Sequence, residues 1–167
     1  MNCYSVIKDD VESLIDYLDG EKATKERHNY YKNLFKPSNK LESAAQYYYL
    51  NRTSYSGIMK KQNNYFGYGD KYSMRPENWG RQLRKNSKKL QNVTLTCMSY
   101  KKLFSRKFKD KTFMFIDPPY FNADQDKFYK ETFTYDDHVE LSNILRVQEK
   151  NFKFLLTYDN SDEIKEL

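Results

Sequence analysis

Apolar positions recur at helical spacing near the start of the chain. Val11, Leu14, Ile15 and Leu18 fall on one stripe and Gly20 follows as a stop, which predicts an amphipathic helix over about 8–19. "TKERHNYYKNLF" (24–35), ended by Pro37, predicts a second helix, and "LESAAQYYYLN" a third over about 41–52. The periodicity then fails. Residues 51–89 are rich in Asn, Gly, Tyr, Arg and Lys and hold Gly57, Gly67, Gly69 and Gly80, so they read as loops and short helices on a basic surface. "VTLTCM" (93–98) alternates as a strand does. "TFMFI" (112–116) is a short apolar run of the kind found in a buried parallel strand. "DDHVELSNILR" (136–146) carries Val139, Leu141, Ile144 and Leu145 on a helical face, and "FKFLLTY" (152–158) reads as a further strand. Strand, strand, loop, helix, strand is the grammar of a parallel sheet with covering helices. No internal repeat or low-complexity tract interrupts that order.

Composition changes this picture in one respect. Apolar residues make up only 38% of 167 residues, but aromatics make up 17%, and 16 residues are Tyr. A tyrosine buries a ring and keeps a polar tip, so such a chain builds a core with few Leu or Val. The length suffices for one domain with a core of its own. The formal net charge of +6 fits a nucleic-acid partner, and fits a Lys-rich composition equally well. Cys3 and Cys97 have neither metal-ligand spacing nor a disulfide framework, which points to a reducing, cytoplasmic home and no metal site. No run of about 18 apolar residues exists to span a membrane. The opening "MNCYSVIKDD" lacks the apolar core of a signal peptide. The Asn-x-Thr matches at Asn51 and Asn92 read as chance.

The candidate chemistry lies in "FMFIDPPYF" (113–121). In an open α/β sheet, ligands bind beyond the carboxyl ends of the strands, and Asp117 sits at that edge. Pro118 and Pro119 lack an N–H and have a fixed φ, so they end the strand and stiffen the chain while their carbonyls still accept hydrogen bonds. Tyr120 adds a flat ring. A carboxylate, a rigid carbonyl and an aromatic platform suit a flat substrate that carries an amino group. The bland alternative is a chance tetrapeptide, with prolines as ordinary loop residues after a strand.

These residues carry a resemblance. "FIDPPY" is similar to the catalytic motif of the Dam-like family of DNA adenine-N6 methyltransferases. "FYKETFTYDDHVEL" resembles the stretch that follows it, with Phe133, Asp137 and His138 at matching places, and "LLTYDNSDEI" resembles the next strand and its polar end. "YYLNRTSYSGI" is similar to the family's Asn-Arg-aromatic-Gly stretch, with Asn51, Arg52, Tyr55 and Gly57 matching. "NCYSVIKDDVESLI" resembles the helix after the family's cofactor strands.

The resemblance implies an α/β fold with a Rossmann-like, S-adenosylmethionine-dependent methyltransferase sheet and a helical, loop-rich target-recognition region. It divides the chain into a core helix (1–23), a region that recognises double-stranded DNA (24–90) and a catalytic α/β core (91–167). It implies that Asp117 and the Pro118 carbonyl accept the two N–H bonds of a flipped-out adenine amine, with Pro119 stiffening the loop and Tyr120 stacking on the base. Asp117 would also lie against the cofactor.

Departures from the family pattern carry their own expectations. The Lys-containing N-terminal motif and the Gly-rich cofactor turn are not found, and the chain stops at "EIKEL". The expectation is a methyltransferase cut at both ends, its sheet incomplete and one apolar face exposed. Such a chain would be weakly active alone, or would need a second chain that supplies the Gly-rich motif.

The remaining candidates form a basic stretch. Lys60, Lys61, Arg75, Arg81, Arg84, Lys85, Lys88 and Lys89 are interleaved with Tyr65, Phe66, Tyr68, Tyr72 and Trp79. They read either as phosphate contacts with stacking aromatics or as a solvated face with Trp79 in the core. With Asn51 and Arg52, residues Lys60, Lys61, Arg81 and Arg84 are the DNA-binding candidates. Asn63 and Asn64 read as turn formers ahead of a role in reading adenine edges in the major groove, His138 as a helix-surface or packing residue and Cys97 as a buried strand residue. His28 has no partner in view, Asp136 and Asp137 read as helix-start carboxylates, and Asp159 and Asn160 as pocket-edge residues. Two rival functions stand beside DNA adenine methylation: RNA guanine-N2 methylation, which uses similar Asp/Asn-Pro-Pro motifs, and a non-catalytic DNA-binding remnant.

Overall fold

The computed structural model describes residues 2–108, 111–123, 133–148 and 152–167. Contacts gather the chain into two units, Met1–Cys97 and Met98–Leu167. The first holds α1 (Asn2–Asp9), α2 (Val11–Leu18), α3 (Lys25–Asn29), α4 (Lys40–Thr53) and α5 (Trp79–Leu90).

Local chemistry sets these boundaries. Asn39 caps α4 by accepting the Glu42 N–H at 2.9 Å, while the Glu42 carboxylate reaches back to the Ser38 N–H at 2.6 Å, a variant of the capping box. Thr24 caps α3 in the same way by accepting the Arg27 N–H. The helix expected over 24–35 forms in two parts. After α3 the chain widens into a π-helical turn (Tyr30–Leu34), where the Phe35 N–H donates to the Tyr30 carbonyl. The Tyr31 and Phe35 carbonyls instead accept from the Gln46 amide at 2.7 and 3.3 Å, so the irregular turn leaves those acceptors satisfied. The helix expected over about 8–19 forms as α2, starting at Val11 because Asp10 (φ −151°, ψ 54°) leaves helical conformation and separates it from α1.

The core of this unit is aromatic, as the composition implied. Tyr31 stacks on Tyr49 at 4.4 Å, and Trp79 meets Tyr48 and Tyr49 edge-on at 5.7 Å. Ala44 and Ala45 on α4, with no measurable exposure, let neighbouring helices approach closely, and Leu14, Leu18 and Leu83 fill the rest. Trp79 is therefore core, which is the second of the two readings the sequence allowed it, and not a stacking residue for DNA. Helix α5 is also longer than the short helices expected over 51–89. Its buried stripe of Trp79, Leu83 and Ser87 has regular i, i+4 spacing, but Lys and Arg fill the exposed positions and hide it in the sequence.

The strand expected at 93–98 does not form. The Val93 N–H turns back to the Leu90 carbonyl, and among the described residues no neighbouring strand offers it a ladder. Cys97 is exposed and lies outside any strand, contrary to the buried position expected.

The second unit runs α6 (Tyr100–Phe104), β1 (Phe113–Ile116), α7 (Tyr135–Gln148), β2 (Lys153–Leu156) and α8 (Asp162–Lys165). Strands β1 and β2 pair in parallel with Phe113 opposite Lys153 and Ile116 opposite Leu156, and α7 lies in the connection, as the expected grammar requires. Thr134 and Asp137 cap α7 reciprocally, the Asp137 carboxylate accepting the Thr134 N–H at 2.9 Å. That backbone hydrogen bond holds the Asp137 carboxyl below its ordinary range.

Met114 and Ile116 pack against a cluster of Phe104, Leu141, Leu145 and Phe152. Phe113 and Phe115 alternate to the opposite face and are 64% and 63% exposed. Strand β1 is thus half-buried on one face and exposed on the other, which corrects the expectation of a buried strand. Among the described residues the architecture is mixed, and in this unit side chains of α6 and α7 pack on one face of a two-stranded parallel sheet. No described helix is long and apolar enough to cross a membrane.

Candidate active site

The parallel register that places Ile116 beside Leu156 also brings the next residues of both strands together. The Thr157 N–H donates to the Ile116 carbonyl at 3.0 Å, extending the ladder by one residue beyond β2. The Thr157 hydroxyl then donates to Asp117 Oδ1 at 2.6 Å, a short bond to a charged acceptor. Asp117 itself is exposed at the carboxyl end of β1, where the sequence put it.

Pro118 and Pro119 carry the chain away from the sheet, and the next turn is pinned from β2. Asp159 accepts the Phe121 N–H at 2.9 Å on one carboxylate oxygen and the Asn122 N–H at 3.2 Å on the other. Burial pushes the Asp159 carboxyl up, but these backbone hydrogen bonds outweigh it and hold the group below its ordinary value. Tyr120 is 37% exposed, with its ring 6.2 Å from that of Tyr158.

His138 lies beneath this loop, buried at 2% exposure. It packs edge-on against Phe133 at 4.7 Å and Phe121 at 5.6 Å, and its Nδ1 is hydrogen bonded to the Tyr158 hydroxyl. Burial holds its pKa below the ordinary imidazole value, which favours the neutral ring. It is a packing residue, as expected. A cleft of about 360 Å³ opens beside the loop, lined by Tyr100, Phe104, Met114, Asp117, Pro118 and Phe133. It is apolar with one carboxylate on its wall. Among the described residues no group of three or more acidic, His or Cys side chains is arranged to hold a metal.

The other candidates lie in the first unit. The Asn51 amide donates to the Gly57 carbonyl at 3.2 Å, and the Asn51 carbonyl accepts the Arg52 guanidinium at 2.7 Å. Gly57 has φ +69°, and a Cβ there would come within 3.1 Å of the Asn51 amide, so glycine is needed on both counts. A bridge between Ser54 and Phe66 closes this loop, with Lys60 and Lys61 between its ends and Tyr55 and Tyr65 well exposed beside the bridge. Asn64 is buried and donates to the Ile58 carbonyl, the turn-forming role expected of it. Arg81 contacts Asn78 at 3.2 Å, whereas Arg84 makes a two-pronged ion pair with Glu12. His28, which had no visible partner in the sequence, is buried with Nδ1 2.8 Å from the Thr53 hydroxyl.

Sequence reasoning put Asp159 near the site without the bonds it makes, and it missed Thr157. The signal was available in register: Thr157 follows β2 just as Asp117 follows β1. The first residues of "FYKETFTYDDHVEL", 128–132, lie outside the described residues.

A parallel crossover with an acidic, proline-stiffened, aromatic loop at the carboxyl edge of its sheet defines the class as an α/β protein. The family model for D12 class N6 adenine-specific DNA methyltransferases matches residues 1–167, and the chain belongs to that family. The Type II methyltransferase M.MjaIII of Methanocaldococcus jannaschii is 29% identical to it over 171 residues, covering 90% of this chain. The chain spans 58% of the length of that relative. The resemblance to adenine-N6 methyltransferases drawn from the sequence is borne out.

Proposed function

We propose that this chain supplies the base-binding side of a site-specific DNA adenine-N6 methyltransferase, built on one part of a Rossmann-like sheet. The observation that carries this reading is Asp117, fixed by the Thr157 hydroxyl at the end of β1, on one loop with the Pro118 carbonyl and the exposed Tyr120 ring. The exocyclic nitrogen of adenine is a poor nucleophile because its lone pair is delocalised into the ring. Asp117 accepts one of its N–H bonds and the Pro118 carbonyl the other, which draws the nitrogen toward tetrahedral geometry and localises the lone pair. Tyr120 stacks on the base, and Pro119 keeps the loop stiff. A base within a duplex does not reach such a site, so the adenine flips out.

S-adenosylmethionine is the methyl donor that the family implies, and it supplies an electrophilic methyl group. Asp117 is the residue that the resemblance carries over toward it. The glycines do not fit as its cradle: Gly20 follows α2, Gly57, Gly67 and Gly69 lie in loops, and Gly80 is inside α5. The chain's own part is therefore the acceptor side, with Asp117 alone carried over toward the cofactor. A second polypeptide segment with the Gly-rich turn would complete the site and cover Phe113 and Phe115.

Double-stranded DNA is the proposed partner, with target recognition in residues 24–90. Lys61 and Arg81 are stronger phosphate candidates than Arg84, which is already paired with Glu12, and Lys60 stands beside them as a further candidate. Asn51 and Arg52 act through the loop that they brace. Lys61→Ala and Arg81→Ala are each expected to lower the salt slope of DNA binding by about 1, and Arg84→Ala by less.

The deciding experiment measures transfer from labelled S-adenosylmethionine to unmethylated duplex DNA and to RNA. It uses this chain alone and this chain with a Gly-rich, cofactor-binding polypeptide of the family. N6-methyladenine in DNA is expected, with Asp117→Ala reducing the rate by about 100-fold or more. Label in RNA guanine favours the RNA alternative. Salt-sensitive DNA binding with no transfer in either preparation favours the non-catalytic remnant.

A further inference from the structure

We infer that Thr157 and Asp159, just beyond the end of β2, are positioning residues that brace the Asp-Pro-Pro-Tyr loop at both ends, Thr157 by selecting which oxygen of Asp117 faces the adenine amine. This inference rests on the methyltransferase reading of Asp117.

Asp117 is exposed, and an exposed aspartate ordinarily samples several rotamers. Thr157 removes that freedom. Its backbone is fixed by the N–H bond to the Ile116 carbonyl, and its β-branched side chain is stiff at χ1. Its hydroxyl oxygen lies 2.6 Å from Asp117 Oδ1 and 3.4 Å from the Ile116 carbonyl, so its one proton goes to the nearer, charged acceptor. With Oδ1 engaged, Oδ2 is left for the substrate.

Asp159 holds the other end. Its two oxygens each take one of two successive backbone N–H groups, Phe121 and Asn122. Two adjacent N–H groups converging on one anion form a nest, a local arrangement that fixes backbone torsions. Between the anchors stand Pro118, Pro119 and Tyr120. The prolines have locked φ angles and no N–H to compete for other partners. Few free torsions remain, so the Pro118 carbonyl and the Tyr120 ring are held relative to the carboxylate by two residues of one strand end. A displacement of about 1 Å in such a constellation costs on the order of 100-fold in rate, which is the reason to brace it.

The test uses the full chain and two readouts that need no turnover. Amide exchange at Phe121 and Asn122 is expected to quicken by about tenfold or more in Asp159→Ala, with α7 unchanged as the folding control. Three-bond couplings of Asp117 are expected to report one χ1 rotamer in the native chain, averaging in Thr157→Val and a return to one rotamer in Thr157→Ser. Unchanged exchange and unchanged couplings overturn the brace.

In the preparation that transfers methyl groups, Thr157→Val is expected to lower kcat by about 100-fold with KM for DNA unchanged, and Thr157→Ser to restore it. A broken brace with unchanged kcat, where Asp117→Ala abolishes transfer, overturns the positioning role alone. If Asp117→Ala is itself silent, the methyltransferase reading falls instead.

Discussion

Trp79 in the first unit is 1% exposed and Phe115 in the second is 63% exposed, although both are aromatic residues on regular elements. The difference lies in how each element is covered. Trp79 is inside a helical unit that closes its own core with rings from α4 and leucines from α2 and α5. Phe115 is on a strand whose second face meets solvent, and parallel sheets are ordinarily covered on both faces. The Asp-Pro-Pro-Tyr loop belongs to the unit whose sheet has an exposed face. Its order therefore rests on local hydrogen bonds from Thr157 and Asp159 more than on burial.

The largest effect expected from this comparison is in the first core. Trp79→Ala removes a ring that touches Tyr48 and Tyr49 and loses the indole hydrogen bond to the Met74 carbonyl at 3.0 Å. A cost of about 3–5 kcal/mol is expected in urea unfolding. A loss below about 1 kcal/mol would mean that this core is as loosely closed as the exposed sheet face.

The next effect is acid sensitivity, since each unit buries one histidine. Burial lowers the pKa of both His28 and His138 from the ordinary 6.5. A group with a depressed folded pKa binds fewer protons folded than unfolded, so stability is full above 6.5 and falls as pH drops from there through the folded values. In the second unit the charges of Asp159 and Asp137 oppose the shift of His138. Unfolding curves at stepped pH should therefore show weakening on the acid side of 6.5, and His28→Gln should flatten the part that comes from the first unit. Stability that rises on acidification would contradict burial of the neutral rings.

Much of the site was legible because its signals are local. A short apolar run followed by Asp117, Pro118 and Pro119 marks a strand end, and the strand is there. Helix α4 and the crossover helix α7 were legible from apolar spacing and start signals. What escaped depends on pairing. The 93–98 stretch alternates as a strand does, but a strand exists only beside another, and none flanks it among the described residues. Helix α5 escaped because its apolar stripe is one residue wide on a lysine-rich helix. The role of Thr157 escaped because it depends on register between strands 40 residues apart, and a sequence alone does not fix register.

The smallest effect concerns the exposed sheet face. Phe113 and Phe115, with Leu155 beside them at 51% exposure, form an apolar surface on the face away from the core cluster. Because Phe115 has little contact to lose, Phe115→Ser is expected to change unfolding stability by less than about 0.5 kcal/mol. Its effect should appear instead in association, since contiguous exposed apolar area favours contact with other surfaces. Sedimentation of the native chain and of Phe115→Ser at equal concentration separates the two quantities. Unchanged stability with less association is the signature of an uncovered face. A loss of about 2 kcal/mol or more would mean that the face is covered in solution, and the contrast with the helical unit would then disappear.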